Sequence, residues 1–250
     1  VGALERAVAL DPANAEVSSA LDRLYERLGR WESLVTLLSR SIEQGRGADE
    51  TTELRLRRAE TLELKLARVD AAFVDYETVV ESDATNARAR RGLERLIEAP
   101  ALRQRAAQVL ETLYDRDGDP SAEGLVRMHQ IRLEVTEPGA PRAALHQRIA
   151  ELREIVLHDP VGALDAIATA TLEDPTQATF REELLRLSAV ALQDARAAET
   201  LEEVLEDPRA STVRVPVLRD LAAIYDERLI DPVKAERTFR RLLTEAEGDR

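Results

Sequence analysis

Leu157-His-Asp-Pro-Val-Gly-Ala163 returns as Leu229-Ile-Asp-Pro-Val-Lys-Ala235, and residues 157 and 229 are 72 positions apart. At the same offset the match extends upstream to Ala150 and downstream to Ile167. One aligned position would carry little weight, but this many at a constant offset indicate an internal repeat. The first prediction for this chain is therefore a repeat array.

Two further comparisons extend the repeat over most of the chain. At an offset of 91 positions, identical residues align 59–111 with 150–202, and at 72 positions Asp11 aligns with Asp83. Because 72 is about twice the 34 to 36 residues typical of one helix-turn-helix repeat, the natural unit is a pair of helical hairpins. The longer offset indicates an inserted helix.

Composition and periodicity both predict α-helices. The chain is 44% hydrophobic and 33% charged, and it is rich in Ala, Leu, Glu and Arg, which are strong helix formers. Apolar residues recur every three or four positions, as on one face of a helix, and no window alternates like a strand. The predicted helices span 14–29, 31–44, 49–67, 69–82, 86–98, 101–116, 120–136, 141–158, 160–173, 177–190, 194–206, 212–229 and 231–246.

Proline and glycine mark the predicted helix boundaries. An Asp at the N-cap accepts hydrogen bonds from backbone N–H groups, and Pro suits the first helical position because its missing N–H is not needed there. Six of the ten prolines follow Asp. These pairs are Asp11-Pro12, Asp119-Pro120, Asp159-Pro160, Asp174-Pro175, Asp207-Pro208 and Asp231-Pro232. Breaks between helices are predicted at Gly29, Gly45, Gly47 and Gly118.

The repeats resemble the tetratricopeptide repeat family. The last hairpin matches the family pattern, with one extra residue in the turn, at Leu218, Leu221, Ala222, Tyr225, Ala235, Phe239 and Leu242. The preceding copy matches at Ile149, Ala150, Ala163, Ile167, Ala170 and Pro175, and the N-terminal part at Leu4, Ala7 and Pro12. The repeats are degenerate, since Leu or a polar residue replaces the family's Trp. The resemblance implies an all-α, right-handed α-α superhelix of about seven helical hairpins that serves as a protein-binding scaffold.

We expect residues 1–250 to form one continuous repeat array, with an irregular or inserted helix within 86–136. Val1 aligns with Leu164 inside a repeat helix, so we expect the chain to be a fragment of a longer array. Only Lys65 and Lys234 are lysines among 35 basic residues. This arginine bias is typical of a GC-rich bacterial gene, which favours a large bacterial protein as the source.

Charge and composition exclude several classes of function. A net charge of −13 disfavours nucleic acid and anionic membranes as partners and mildly favours basic ones. Without cysteine there are no disulfides, thiolate metal sites or cysteine nucleophiles. No apolar stretch is long enough to insert into a membrane. We expect a soluble protein; the compartment stays open, with the cytoplasm slightly favoured.

Sequence motifs for catalysis or metal binding are weak. Carboxylates at positions 1, 3, 5 and 9 of a calcium-type loop are supplied by Asp115, Asp117, Asp119 and Glu123. An EF-hand also needs Gly at position 6 and Glu at position 12, but these are Pro120 and Val126. A helix end followed by a helix start explains the same residues. Calcium is therefore only a weak candidate, and we predict no metal site.

No other pattern points to an enzyme. The three histidines, His129, His146 and His158, lack zinc-protease spacing, and no phosphate loop or nucleophile elbow is present. The register of the aromatic residues predicts core positions rather than a ligand-stacking surface for Tyr25, Trp31, Phe73, Tyr76, Tyr225 and Phe239. We predict a non-enzymatic protein with no cofactor and no catalytic residue. An enzyme built on an α-solenoid is the least favoured reading.

In tetratricopeptide arrays the first helix of each hairpin lines a concave groove, and the resemblance carries that role onto acidic positions here. These are Asp22, Glu26, Glu60, Glu63, Glu111, Asp115, Glu151, Glu154 and Asp226. We predict an acidic groove that binds a basic peptide or helix; a merely solvated charged face is the alternative. The Lys and Asn clamp that captures C-terminal carboxylates in this family is missing. A structural spacer or assembly module without a groove ligand is the alternative function.

Overall fold

The computed structural model describes residues 1–11, 15–45, 47–117 and 121–248. Within these ranges the regular structure consists of fourteen α-helices with short π and 3-10 segments, and no strand occurs. The all-α prediction is therefore confirmed. The helices are α1 Gly2–Leu10, α2 Ala15–Arg27, α3 Trp31–Glu43, α4 Ala48–Leu66, α5 Val69–Ser82, α6 Ala87–Leu96, α7 Arg103–Asp117, α8 Ala122–Leu133, α9 Ala140–Glu151, α10 Pro160–Glu173, α11 Ala178–Ala191, α12 Asp194–Glu206, α13 Arg214–Ala223 and α14 Pro232–Gly248.

The chain forms two compact units, Val1–Leu113 and Tyr114–Arg250. In the first unit α4 packs on α3 and α5, and α5 packs on α6. In the second unit α10 packs on α9 and α11, and α13 packs on α14. Helices adjacent in sequence thus pack in successive pairs, as short connections require. That the two units form one continuous array stays a prediction.

Each unit buries the apolar stripe that its sequence periodicity predicts. The hydrophobic core of the first unit includes Leu21, Leu34 and Leu38 at its N-terminal end. The core of the second unit is continuous from α8 to α14 and is rich in alanine, for example Ala163 at the contact between α9 and α10. Alanine at such positions lets two helix backbones approach closely.

The extra residue predicted in the repeat turn is absorbed by a π-helical turn. Leu152–Val156 continues α9 and Ile224–Arg228 continues α13, and both segments are π-helical. In each, the amide of the following leucine, Leu157 or Leu229, donates to the carbonyl five residues earlier. The next residue, His158 or Ile230, adopts a left-handed conformation with φ of 52° and 53° respectively. The two copies therefore share their irregular backbone as well as their sequence.

Asp-Pro pairs start helices in both copies of the motif. The carboxylate of Asp159 accepts a hydrogen bond from the amide of Gly162 at 2.9 Å, and that of Asp231 accepts one from Lys234 at 3.0 Å. Each of these hydrogen bonds lies at the N-terminus of the second helix of a hairpin, α10 in one copy and α14 in the other. The predicted N-caps are confirmed at these two positions.

Other predicted boundary residues behave differently. Asp207 caps a short 3-10 segment, Pro208–Val213. Asp174 ends α10 and accepts a hydrogen bond from the amide of Thr176 at 3.3 Å, so it closes one helix instead of starting the next. Gly29, Gly45 and Gly47 have left-handed φ angles near 65°, which glycine adopts readily, and they lie between consecutive helices as predicted. Pro12, Gly118, Asp119 and Pro120 lie outside the described residues.

Candidate functional site

The residues predicted to line an acidic groove lie mostly on first helices of hairpins. In the first unit, α2 carries Asp22 and Glu26, α4 carries Glu60 and Glu63, and Glu111 lies on α7. In the second unit, Asp115 lies in the last turn of α7, Glu151 ends α9, and Glu154 and Asp226 lie in the two π turns. Each unit therefore holds its own subset of these carboxylates.

In the first unit the acids of α2 are paired with one arginine of α4. The guanidinium of Arg57 donates to Asp22 at 2.8 Å and to Glu26 at 2.6 Å. These hydrogen bonds raise the pKa of Arg57, with Asp22 the largest cause. Two predicted ligand-binding acids thus connect α2 to α4.

The acids of α4 are paired in the same way with arginines of α6. Arg88 donates to Glu60 at 2.9 Å, and Arg95 donates to Glu63 at 2.7 Å. The buried phenol of Tyr76 also donates to Glu63 at 2.7 Å, and burial together with this carboxylate raises the pKa of Tyr76. We call the arginine–carboxylate pairs joining α2, α4 and α6 the arginine ladder.

A related pair recurs in the second unit. Arg186, on α11, donates to Glu154 at 2.7 Å and to Glu183 at 2.8 Å, and this lowers the pKa of Glu183. Its position is 91 residues after Arg95, the same offset as between Glu63 and Glu154. The ladder contact is therefore part of the repeat itself.

Sequence reasoning identified the acids of the ladder but not the arginines. The available signal was distance along the chain, because Arg95 follows Glu63, and Arg186 follows Glu154, by 32 residues. That separation is close to one hairpin repeat of about 34 residues, so each arginine lies one helix pair after its carboxylate. The charges of a single helix do not indicate these arginine–glutamate pairs, because the two partners lie on different hairpins.

The second unit contains a groove between α9 and α11, with a cavity volume of about 240 Å³. Its floor is apolar, formed by Ala150, Ile167 and Leu187. Its walls carry the carboxylates of Glu151, Glu154, Glu182 and Glu183. We call it the acidic notch.

Two arginines partly neutralise the acidic notch. Arg186 binds two of its carboxylates, as described above, and Arg148 lies 3.1 Å from Glu151 and 3.5 Å from Asp115. Glu182 is exposed, and among the described residues no cation pairs with it. The notch therefore keeps an excess of negative charge, unlike the paired face of α4. Asp226 is also exposed, but it is not among the residues that line the notch.

The weak calcium candidate is split between two helices. Asp115 and Asp117 lie in the last turn of α7, Glu123 lies in the first turn of α8, and Asp119 is outside the described residues. Asp115 faces Arg148, which would compete with a cation for that carboxylate. The described part of this segment is thus a helix end and a helix start. Calcium stays a weak candidate here, and the absence of a metal site stays a prediction.

One of the three histidines, His146, lies on α9 among charged side chains. It is half-buried, its burial lowers its pKa, and Glu173 and Arg142 act on it in opposite directions. These two neighbours form an ion pair at 3.0 Å. His158 is exposed in the left-handed turn after α9. The described side chains around His146 do not form a nucleophile–base pair.

Most aromatic side chains lie in the core, as predicted. Tyr25, Phe73, Tyr76 and Tyr225 are buried, and Trp31 packs against the core of the first unit. The three buried tyrosines each donate a hydrogen bond to a glutamate. The prediction is wrong only for Phe239, which is 42% exposed, since among the described helices none packs on that side of α14.

No helix in the described ranges is both long and apolar enough to cross a membrane. No protein-family model matches the chain, and no curated protein matches it.

Among solved structures, the structural neighbours over most of the chain are tetratricopeptide repeat proteins and MamA. A crystal structure of MamA is 14% identical over 80% of this chain and 94% of its own, with a TM-score of 0.33. The C-terminal part of a TPR repeat-containing protein from Cytophaga hutchinsonii is 12% identical over 90% and 94%, with a TM-score of 0.33. A tetratricopeptide repeat protein from Parabacteroides merdae is 15% identical over 87% and 89%, with a TM-score of 0.28. Likenesses this distant say nothing about what the chain binds.

Proposed function

We propose that the protein is a non-enzymatic interaction scaffold and that its acidic notch binds a lysine or arginine side chain of a partner peptide or helix. The observation that carries this proposal is the notch itself, which combines an apolar floor with four carboxylates on α9, the following π turn and α11. Such a groove suits the aliphatic stem and the cationic end of a basic side chain. Glu151 and Glu154 were predicted from the sequence, and Glu182 and Glu183 extend the set.

The charge balance within each unit supports the second unit as the binding region. In the first unit, Arg57, Arg88 and Arg95 neutralise the predicted acids of α2 and α4. A basic ligand would have to displace a guanidinium there. In the notch, Glu182 is available without such a displacement, so a cation gains more attraction in the second unit.

Affinity through the notch depends on more than charge. A single exposed ion pair contributes only about 0.2–1 kcal/mol, so the partner also has to bury apolar surface against the floor. Raising the salt from about 0.1 M to about 1 M shortens the Debye length from about 10 Å to about 3 Å. Binding that depends on exposed carboxylates should weaken over that range.

The test uses the full chain and fluorescein-labelled peptides in which lysine and arginine alternate with alanine, with a glutamate peptide for comparison. We expect saturable, salt-sensitive binding of the basic peptide, measured by fluorescence anisotropy. Glu182→Lys should weaken it, because the substitution removes a negative charge from the rim and adds a positive one. Glu199→Lys is the matched control, since it makes the same charge change at an exposed position of α12 outside the notch.

Two results would refute the proposal. One is binding of the basic peptide that does not respond to salt. The other is an equal loss of binding in Glu182→Lys and Glu199→Lys, which would mean that only the net charge of the chain matters.

The arginine ladder favours a second function for the first unit. Its pairs join α2, α4 and α6 to one another, so the unit is suited to act as a spacer that holds other parts of an assembly at a fixed separation. A spacer needs no groove ligand. Failure of every peptide to bind, while the chain remains folded, would favour this role.

A further inference from the structure

The acidic notch has an equivalent in the first unit, because helices α4 to α6 align with α9 to α11 at an offset of 91 positions. In the first unit this space is filled. The ring of Tyr76 is fully buried, lies against Gly92 and donates a hydrogen bond from its hydroxyl to Glu63. In the second unit the smaller Ile167 replaces the tyrosine and forms part of the floor of the notch, and Glu183 replaces the glycine and adds a carboxylate to the wall.

The charges around this space also differ between the two copies. The aligned pairs are Glu60 and Glu151, Glu63 and Glu154, Arg88 and Thr179, Arg91 and Glu182, Gly92 and Glu183, and Arg95 and Arg186. The first copy thus has three arginines and two glutamates at these positions, and the second has one arginine and four glutamates. The same space is therefore filled and neutralised in the first unit but open and acidic in the second.

The arginine that both copies retain has twice as many carboxylate partners in the second unit. Arg186 donates to both oxygens of Glu154, at 2.7 Å and 2.5 Å, and to both oxygens of Glu183, at 2.8 Å and 2.7 Å. Arg95 donates in this way to Glu63 alone. Paired N–H···O bonds to one carboxylate require the planar guanidinium group, which lysine lacks. Glu154 and Glu183 together thus form a site that matches a guanidinium group.

Arg186 occupies this site from the edge of the notch. Its side chain is 44% exposed, and it is not among the residues that line the cavity, whereas Glu154 and Glu183 both line it. Exposed ion pairs contribute little to stability. The guanidinium of Arg186 can therefore leave the two carboxylates for solvent without disturbing the buried core.

We infer that the acidic notch recognises an arginine side chain of the partner and that Arg186 is a built-in competitor for the same carboxylates. This inference rests on the proposed function of the notch and adds two things to it, the guanidinium chemistry of the ligand and a residue that limits its affinity. Glu182 attracts the incoming guanidinium, which then displaces Arg186 from Glu154 and Glu183. The aliphatic part of the partner's arginine lies on the apolar floor.

The competition also sets what else the partner has to provide. A competitor attached to the same chain acts at an effective concentration in the millimolar range. A guanidinium group by itself is therefore a weak ligand, and the partner has to gain further contacts with the floor and with Glu151 and Glu182. An arginine within a peptide segment meets this requirement, because its neighbours can make those contacts.

The experiment uses the full chain and two fluorescein-labelled peptides of equal length and charge, in which either arginine or lysine alternates with alanine. We expect anisotropy titrations to show tighter binding of the arginine peptide. Arg186→Ala should raise the affinity for the arginine peptide about fivefold, because no ion pair then has to be displaced. The lysine peptide should gain less, because lysine cannot form paired hydrogen bonds with the two carboxylates.

Arg148→Ala is the matched control. It removes the same charge at the rim of the notch, where Arg148 donates a single hydrogen bond to Glu151 at 3.1 Å. This variant should raise the affinity for both peptides by the same small factor. Arg186→Lys separates geometry from charge, since it keeps the positive charge but loses the paired hydrogen bonds. It should still raise the affinity for the arginine peptide, and circular dichroism checks that every variant is folded.

Three results would overturn the inference and leave the proposed function intact. The affinity for the arginine peptide could be unchanged in Arg186→Ala, or unchanged in Arg186→Lys. Arg186→Ala and Arg148→Ala could also give equal gains for both peptides, which would mean that only net charge matters. Failure of both peptides to bind either the unmodified chain or Arg186→Ala would refute the notch as a binding site and the inference with it. Binding of the arginine peptide that appears only in Arg186→Ala would support the competition.

Discussion

Substitution of Gly92 by alanine tests how Glu63, a predicted binding residue, is held in place. Gly92 lies on α6, and the ring of Tyr76 from α5 packs directly against it. A Cβ atom at residue 92 would lie 2.4 Å, 2.5 Å and 2.6 Å from three ring carbons of Tyr76. The ring is fully buried, and its hydroxyl is hydrogen-bonded to Glu63, which in turn binds Arg95. The ring therefore cannot move aside without disturbing the arginine ladder.

Two effects of opposite sign decide the outcome of Gly92→Ala. Alanine is favoured over glycine within a helix by about 1 kcal/mol. Overpacking of a filled core costs about 1–3 kcal/mol, and with three contacts far below van der Waals distance we take the upper end of that range. The net loss is then about 2 kcal/mol, which lowers the melting temperature of a unit of this size by roughly 8 °C or more.

Urea denaturation followed by tryptophan fluorescence measures this loss where it occurs. Trp31 is the only tryptophan of the chain and packs against the core of the first unit, so its emission reports on that unit. Gly2→Ala is the matched control, because no atom lies within 4 Å of a Cβ at that position of α1. We expect the control to be as stable as the unmodified chain or slightly more stable.

A double substitution separates the steric effect from other causes. If the contact with the ring is responsible, Gly92→Ala should cost much less in a Tyr76→Leu background than in the unmodified chain. Equal cost in both backgrounds would refute the reasoning. So would a gain of stability in Gly92→Ala alone, since helix propensity would then outweigh the contact.

Three further predictions concern buried charge, pH and helix capping. Asp75→Asn should destabilise the first unit by about 2 kcal/mol in urea titrations. Breaking a fully buried ion pair costs about 3–5 kcal/mol, but Arg58, the partner of Asp75 at 2.6 Å, is partly exposed. A loss of stability below about 0.5 kcal/mol would contradict this prediction. Burial lowers the pKa of His146 in the folded state. Just below pH 6.5, the unfolded chain therefore binds more protons at this histidine than the folded chain does. His146 should thus make the free energy of unfolding fall as the pH drops below its unfolded pKa of about 6.5. His146→Gln should reduce that dependence in melting curves, and a variant whose stability falls as steeply with pH as that of the unmodified chain would count against the assignment. Asp159→Ala should cost about 1 kcal/mol through loss of the N-cap of α10, and an unchanged urea midpoint would show that the cap contributes nothing.

Local rules predicted the helices well, because helix starts and ends depend on nearby residues. Asp159 and Asp231 cap helices through amides only three residues away. Comparison of the last hairpin with the family pattern also indicated an extra residue in its turn, and the structure has a π turn there and at the equivalent place in the preceding copy. Asp174 did not follow the rule for Asp-Pro pairs, since the same carboxylate can close a turn within two residues instead of capping a helix.

The candidate site was predicted less completely, because the charge of a groove depends on contacts between hairpins. From the sequence, Glu60 and Glu63 were acids on an exposed helix face. In the structure Arg88 and Arg95 of a later helix pair with them, whereas Glu182 keeps an exposed carboxylate. A single-helix pattern does not distinguish these cases, because it identifies a polar position on one helix but not the residues of other helices that face it.

The sequence by itself determined that the chain is all-helical, repeated at 72 and 91 positions, and built from paired helices, since periodicity, capping residues and short connections act over a few residues. Only the tertiary structure decided which charges are neutralised and which apolar faces are covered. Ile167 and Phe239 occupy the same position of the repeat, yet one is buried and the other exposed. The reason is physical: burial depends on whether another helix packs on that face, and that helix is several turns or more away in sequence.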